Sequence, residues 1–97
     1  MLFLGETAVD LQSGTVEGKD GSAQLTAKEL TILRKLAENR RRIVTFDAIT
    51  QEVWNDYYYG YENTLMVHIR RLREKVEKNP SSPEWILTVR GLGYKLK

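Results

Sequence analysis

The spacing of hydrophobic positions divides the chain into three parts. In residues 1–25, short apolar runs alternate with turn residues. Leu2–Leu4 stops at Gly5, Thr7–Leu11 at Ser13-Gly14, Thr15–Glu17 before Lys19-Asp20-Gly21, and Ser22–Leu25 closes the set. Asp-Gly between two such runs is a hairpin signal, so the pattern predicts four short antiparallel strands. A sheet of such pieces is not stable alone and must lean on helices.

The period then lengthens. Thr26-Ala27-Lys28-Glu29 is a capping box, with Thr26 as N-cap, Glu29 reaching back to it, and Leu25 and Leu30 at the staple positions. The predicted helix runs to about Asn39, with Leu30, Leu33 and Ala37 on one face and Ile32 and Leu36 beside it. Arg40-Arg41-Arg42 then meets the negative end of the helix dipole; contact with phosphate is the other reading of this trio. Ile43-Val44 reads as a brief strand. Thr45 suits a second N-cap, with Asp47 in the first turn and Val44/Ile49 as staple, for a helix carrying Phe46, Ile49, Val53 and Trp54. A loop of Asn55, Asp56, Tyr57, Tyr58, Tyr59, Gly60 and Tyr61 follows. Some of its tyrosines suit the core, and aromatic residues in a loop also serve as protein-contact residues.

Residues 63–78 predict a third helix. Leu65, Ile69, Leu72 and Val76 fall in one narrow stripe at ~3.6 residues per turn. Asn63, Val67, Arg70, Arg71, Glu74 and Lys78 fall opposite, with Thr64, His68 and Arg73 on the flanks. A solvated outer face is one reading of that side. A surface made to meet base edges and phosphates is the other. Asn79-Pro80-Ser81-Ser82-Pro83 stops the helix. From residue 84 the period is two: Trp85, Leu87 and Val89 share one face, Thr88 and Arg90 the other. Arg90-Gly91-Leu92-Gly93 reverses the chain and Gly93–Leu96 returns, a hairpin with a cationic tip.

Composition narrows the function. Residues 1–61 hold seven Lys/Arg and nine Asp/Glu, net −2; residues 62–97 hold eight and four, net +4. The C-terminal third is the candidate face for a polyanion, with a solubilising surface as the other reading. With no cysteine, disulfides and thiolate metal sites are excluded, and the lone His68 cannot assemble a typical zinc site; no nucleophile-base pattern stands out. Gly91-Leu92-Gly93 joins two strands and is no dinucleotide fingerprint. No apolar run approaches the ~18 residues that cross a membrane. No enzyme, metal or cofactor is expected, and the cytoplasm is the default location. An exposed basic helix suits the B-form major groove better than RNA.

Two helices, a basic helix and a hairpin make an α+β winged helix-turn-helix over residues 1–97: a four-stranded antiparallel sheet (1–25), three helices (26–78) and a C-terminal hairpin wing (84–97). The sequence resembles the OmpR/PhoB family of response-regulator effector domains over nearly its whole length. The resemblance is carried by Leu25-Thr26-x-x-Glu29-x-x-x-Leu33, Val53-Trp54, Val67-His68-Ile69-Arg70-Arg71-Leu72-Arg73 and Thr88-Val89-Arg90-Gly91-x-Gly93-Tyr94.

It implies sequence-specific binding to double-stranded DNA, with helix 63–78 in the major groove. Val67 would meet a thymine methyl and Arg71 would reach bases. Arg70, Arg73 and His68 would bind phosphates or nearby bases, and Thr88 and Tyr94 phosphates. Arg90 would enter the minor groove, and Trp54 would lie at the sugar-phosphate backbone. Asn63, Thr64, Met66 and Lys75 complete the expected contact set. Many members carry Asp at the position of Met66 and arginine at that of Asn63. The resemblance further implies that loop 55–61 touches RNA polymerase. It also implies tandem half-sites bound by a head-to-tail dimer, a monomer off DNA, and an upstream receiver domain served by a sensor kinase. No receiver domain lies within these 97 residues. The competing reading is a winged helix that binds protein instead of DNA, which would explain the tyrosines but not the clustering of Arg70, Arg71, Arg73 and Arg90.

Overall fold

The computed structural model describes residues 1–55 and 61–97, and the side chains among these other than those of residues 61 and 62. Strands β1 (Leu2–Leu4), β2 (Thr7–Val9), β3 (Thr15–Gly18) and β4 (Gly21–Gln24) form an antiparallel meander in chain order. Its inner face supplies Leu2, Leu4, Val9 and Val16, all buried, while Phe3 stands exposed on the outer face. The last hairpin pairs Gly18 with Gly21, so Lys19 and Asp20 occupy its tip. The turn therefore sits one residue earlier than Asp20-Gly21 alone suggests.

Helix α1 (Ala27–Glu38) begins on the expected capping box. Glu29 N–H donates to Thr26 Oγ1 at 3.2 Å, and Thr26 N–H to Glu29 Oε1 at 3.0 Å. Its core face is Ile32, Leu33 and Leu36, with Leu30 and Ala37 only partly covered. The expected face is thus rotated toward Ile32; helices Phe46–Trp54 and Tyr61–Val76 and the C-terminal strand Gly93–Leu96 are the elements packed against this helix. Helix α2 (Phe46–Trp54) starts at Thr45, whose hydroxyl accepts from Ala48 N–H at 3.1 Å. It ends at Asn55, in the left-handed conformation at φ 53°. Helix α3 (Tyr61–Val76) starts two residues before, and ends two before, the expected span. It seats Leu65, Ile69, Leu72 and Val76 at 0–2% exposure, as its stripe predicts.

The brief strand β5 (Val44–Thr45) does more than connect helices. It pairs with β7 (Gly93–Leu96), which pairs with β6 (Ile86–Val89), giving a three-stranded sheet in the order β5-β7-β6. The wing is thereby stitched to the start of α2. Gly93 permits the stitch: a β-carbon there would overlap the Val44 carbonyl oxygen. Within the expected hairpin the core takes Ile86, with Trp85 half-buried against it, while Leu87 and Val89 are half-buried. The two sheets and three helices enclose one continuous apolar cluster.

Candidate nucleic-acid interface

Because Leu65, Ile69, Leu72 and Val76 anchor one side of α3, the opposite side must face outward. Asn63, Thr64, Met66, Val67, Arg70 and Arg71 are all exposed there. Met66 and Val67, at 59% and 49%, are among the most exposed large apolar residues of the chain. Exposed apolar groups flanked by guanidiniums suit thymine methyls and phosphates. Glu74 is exposed on the same side, one turn beyond Arg70 and Arg71.

The wing is tied to this helix by Arg73. Its Nε and Nη2 donate to the Ile86 carbonyl oxygen at 3.0 and 2.7 Å, and Nη2 also donates to Thr88 Oγ1 at 3.0 Å. The guanidinium lies 5.7 Å from the centre of the Tyr94 ring. Burial lowers the Arg73 pKa, against the opposing pull of Tyr94 and Glu77. Burial likewise raises that of the Tyr94 phenol, with Arg73 working the other way. Tyr94 is itself buried, edge-on to Phe46 at 5.8 Å. Arg73 and Tyr94 thus both stand where α3 meets the wing, with Arg73 half-buried and Tyr94 buried.

Two residues past Thr88, Arg90 is exposed at the hairpin tip, where Gly91 turns the chain at φ 76°. A second fastening lies at the other end of β6. The buried Glu77 carboxylate accepts from the backbone N–H of Glu84, Trp85 and Ile86 at 2.9, 3.0 and 2.7 Å. An anion at a helix C-terminus is unfavourable; these donors offset that. Sequence reading passed over Glu77, although a carboxylate set against the dipole just before a Pro-bounded turn was the available signal.

Lys75 does not join the exposed set. Its ammonium bonds Glu29 Oε1 at 2.7 Å and the Gln24 carbonyl at 3.0 Å, under the N-terminal sheet. It sits at the edge of the buried stripe, and Glu29, the capping acid, is 1% exposed beside it. Removing Lys75 would strand the buried Glu29 carboxylate. Nothing in the sequence pairs residues this far apart.

His68 is half-buried against Trp54, rings 5.8 Å apart and inclined at 56°. Its Nδ1 is buried without a hydrogen-bond partner among the described residues. Burial first, then Lys28 and Arg71, lower its pKa, with Glu29 opposing. Both rings are thus partly committed to packing. Of loop 55–61, residues 56–60 and the Tyr61 side chain lie outside the described residues; Asn55 closes α2, accepting from Gln51 Nε2 at 3.1 Å. The Arg40–Arg42 trio follows α1 along β7. Arg40 Nε donates to the Lys97 carbonyl at 2.9 Å and Arg41 N–H to that of Leu96 at 2.8 Å. These residues pair with the end of β7 away from the Arg90 tip.

An exposed basic helix locked beside a cationic hairpin, behind two supporting helices, defines a winged helix-turn-helix domain. Residues 20–96 match the family model described as "Transcriptional regulatory protein, C terminal", and the chain belongs to that family. It is 41% identical over 96 residues to the Bacillus subtilis protein YcbL, an uncharacterized transcriptional regulatory protein, covering 99% of this chain and 42% of YcbL. It is 37% identical to the DNA-binding response regulator MtrA of Mycolicibacterium smegmatis, covering 98% of this chain and 42% of MtrA. The chain thus spans about two fifths of the length of these curated relatives. Among solved structures it is similar to the response regulator DrrB of Thermotoga maritima, an OmpR/PhoB homologue. That match has TM-score 0.82 and 30% identity, over 98% of this chain and 43% of DrrB. It is also similar to the Klebsiella pneumoniae RstA DNA-binding domain in complex with the RstA box, at TM-score 0.80 and 27% identity. That match covers 98% of this chain and 94% of the RstA domain. The OmpR/PhoB resemblance in the sequence is the family's own.

Proposed function

We propose that this effector domain binds double-stranded DNA by sequence to regulate transcription. Helix α3 lies in the major groove and Arg90 in the adjacent minor groove. The observation that carries the reading is the exposed Asn63–Val67–Arg70–Arg71 face of α3 held at fixed distance from the wing by Arg73. A major groove ~12 Å wide admits such a helix, and a short cationic hairpin suits the narrow groove beside it. Val67 and Met66 meet thymine methyls, Asn63 and Arg71 base edges, and Arg70, Thr64, Thr88 and His68 the backbone. The membership of the family and the DNA complex of the similar RstA domain support this reading.

The relatives' greater length supports an upstream receiver domain, switched by a sensor kinase, in the full protein. Tandem half-sites occupied head to tail, and RNA polymerase contact through residues 55–61, belong to the same proposal, as does a cytoplasmic location. Among the described residues no helix is long and apolar enough to cross a membrane.

The test is selection of bound sequences from a random duplex pool, followed by titration of the selected site against salt. A repeated half-site is expected, with log K falling by ~0.9 per phosphate neutralised as log salt rises. No enrichment over the starting pool, with an affinity indifferent to salt, would instead favour a protein-binding winged helix.

A further inference from the structure

Resting on that DNA-binding reading, we propose that Arg73 is a positioning residue, which acts on DNA only through the Thr88 hydroxyl and the wing. The geometry is specific. Arg73 leaves α3 on the flank next to the exposed face, but its guanidinium turns to β6 and spends three N–H donors there, two on Ile86 O and one on Thr88 Oγ1. The Tyr94 ring closes one side of it. A guanidinium in that fork is half-buried with three of its five N–H donors spent, and turning Nε and Nη2 toward a phosphate would leave the Ile86 carbonyl and the Thr88 hydroxyl unpaired; only the Nη1 pair lies outside the fork.

Thr88 is the outlet. A hydroxyl has one hydrogen and two lone pairs. Since Thr88 Oγ1 accepts from Arg73, its own hydrogen is directed away from the guanidinium, toward solvent, where Thr88 is exposed. A hydroxyl that accepts from a cation is a stronger donor to an anion, because hydrogen bonds in a chain polarise one another. The fork thus makes Thr88 a preset donor for a phosphate oxygen at the mouth between helix and wing. It also fixes how far Arg90, two residues on, stands from Arg70 and Arg71. Lysine at position 73 would keep the charge and lose the fork.

The assay is affinity for the selected duplex as a function of salt, using the 97-residue domain with Arg73→Lys, Arg73→Gln, Thr88→Val, Thr88→Ser and the double change R73Q/T88V, with folded fraction read by circular dichroism. Thr88→Val is expected to weaken binding about tenfold, the scale of one hydrogen bond to a charged group, with the salt slope unchanged. Thr88→Ser restores the loss. Arg73→Lys weakens binding comparably despite its retained charge, and R73Q/T88V is little worse than Arg73→Gln alone. A salt slope shallower by ~0.9 in Arg73→Gln would assign Arg73 a phosphate of its own and overturn the proposal. So would wild-type affinity in Arg73→Lys or in Thr88→Val. Should Arg73→Gln prove unfolded, the Thr88 pair and Arg73→Lys decide alone. Failure of the wild-type domain to bind any duplex would instead sink the DNA reading itself.

Discussion

Leu72 and Val67 lie on opposite sides of α3, and truncating each to alanine tests the orientation of the whole interface. Leu72 is 0% exposed, within the cluster that joins both sheets to the helices. Leu72→Ala removes three buried carbons, about 2.4 kcal/mol at ~0.8 per group. The cavity left behind carries the expected cost to about 3–5 kcal/mol. A domain this size is stable by roughly 5–15 kcal/mol, so about a fifth of the margin or more goes. At about 4–8 °C per kcal/mol the melting temperature should fall by at least ~12 °C. Val67 is about half exposed, and Val67→Ala should cost under about 0.5 kcal/mol of stability. It should weaken binding to the selected duplex by about 1 kcal/mol, roughly fivefold, through lost apolar contact with a thymine methyl. Thermal melts give the first quantity, and fluorescence anisotropy well below both melting points the second. Corrected for folded fraction, Leu72→Ala should bind like wild type. A melting temperature unmoved by Leu72→Ala, or affinity unmoved by Val67→Ala, would mean the assigned inward and outward faces of α3 are wrong.

Gly93→Ala drives a β-carbon into the Val44 carbonyl and within 2.8 Å of Thr45 Cα. It should part β5 from β7, cost about 2 kcal/mol or more, and speed hydrogen exchange at the paired amides; wild-type exchange and stability would refute the stitch. His68 has its pKa lowered by burial, so the unfolded chain binds its proton more readily. His68 should therefore subtract stability as pH falls below about 6.5, and denaturation midpoints of His68→Gln should fall less than those of wild type between about pH 7.5 and 5. Identical pH profiles would count against the packed histidine. Arg90→Ala should lose most affinity where an A·T-rich minor groove flanks the half-site; equal losses on G·C-rich flanks would remove the wing from that groove.

What local pattern could determine, it did. Two caps, the four-strand meander, the turn at Gly91 and the buried stripe of α3 each depend on residues within a few positions of one another. Hydrogen-bond reach and helical period act over that range. The outward placement of Asn63, Val67, Arg70 and Arg71 follows from the same stripe. The structure alone decided which cations are drawn into the fold. Lys75 is drawn to Glu29 and Gln24, and Arg73 to Ile86 and Thr88, because folding brings distant acceptors to within 3 Å. Tyr94, read as a surface group, is enclosed once Phe46 arrives with α2. The pairing of β5 with β7 was equally invisible, since two residues of strand carry no register of their own. Long side chains of one charge look alike in a sequence, and only the partners that tertiary packing supplies separate a strut from a contact.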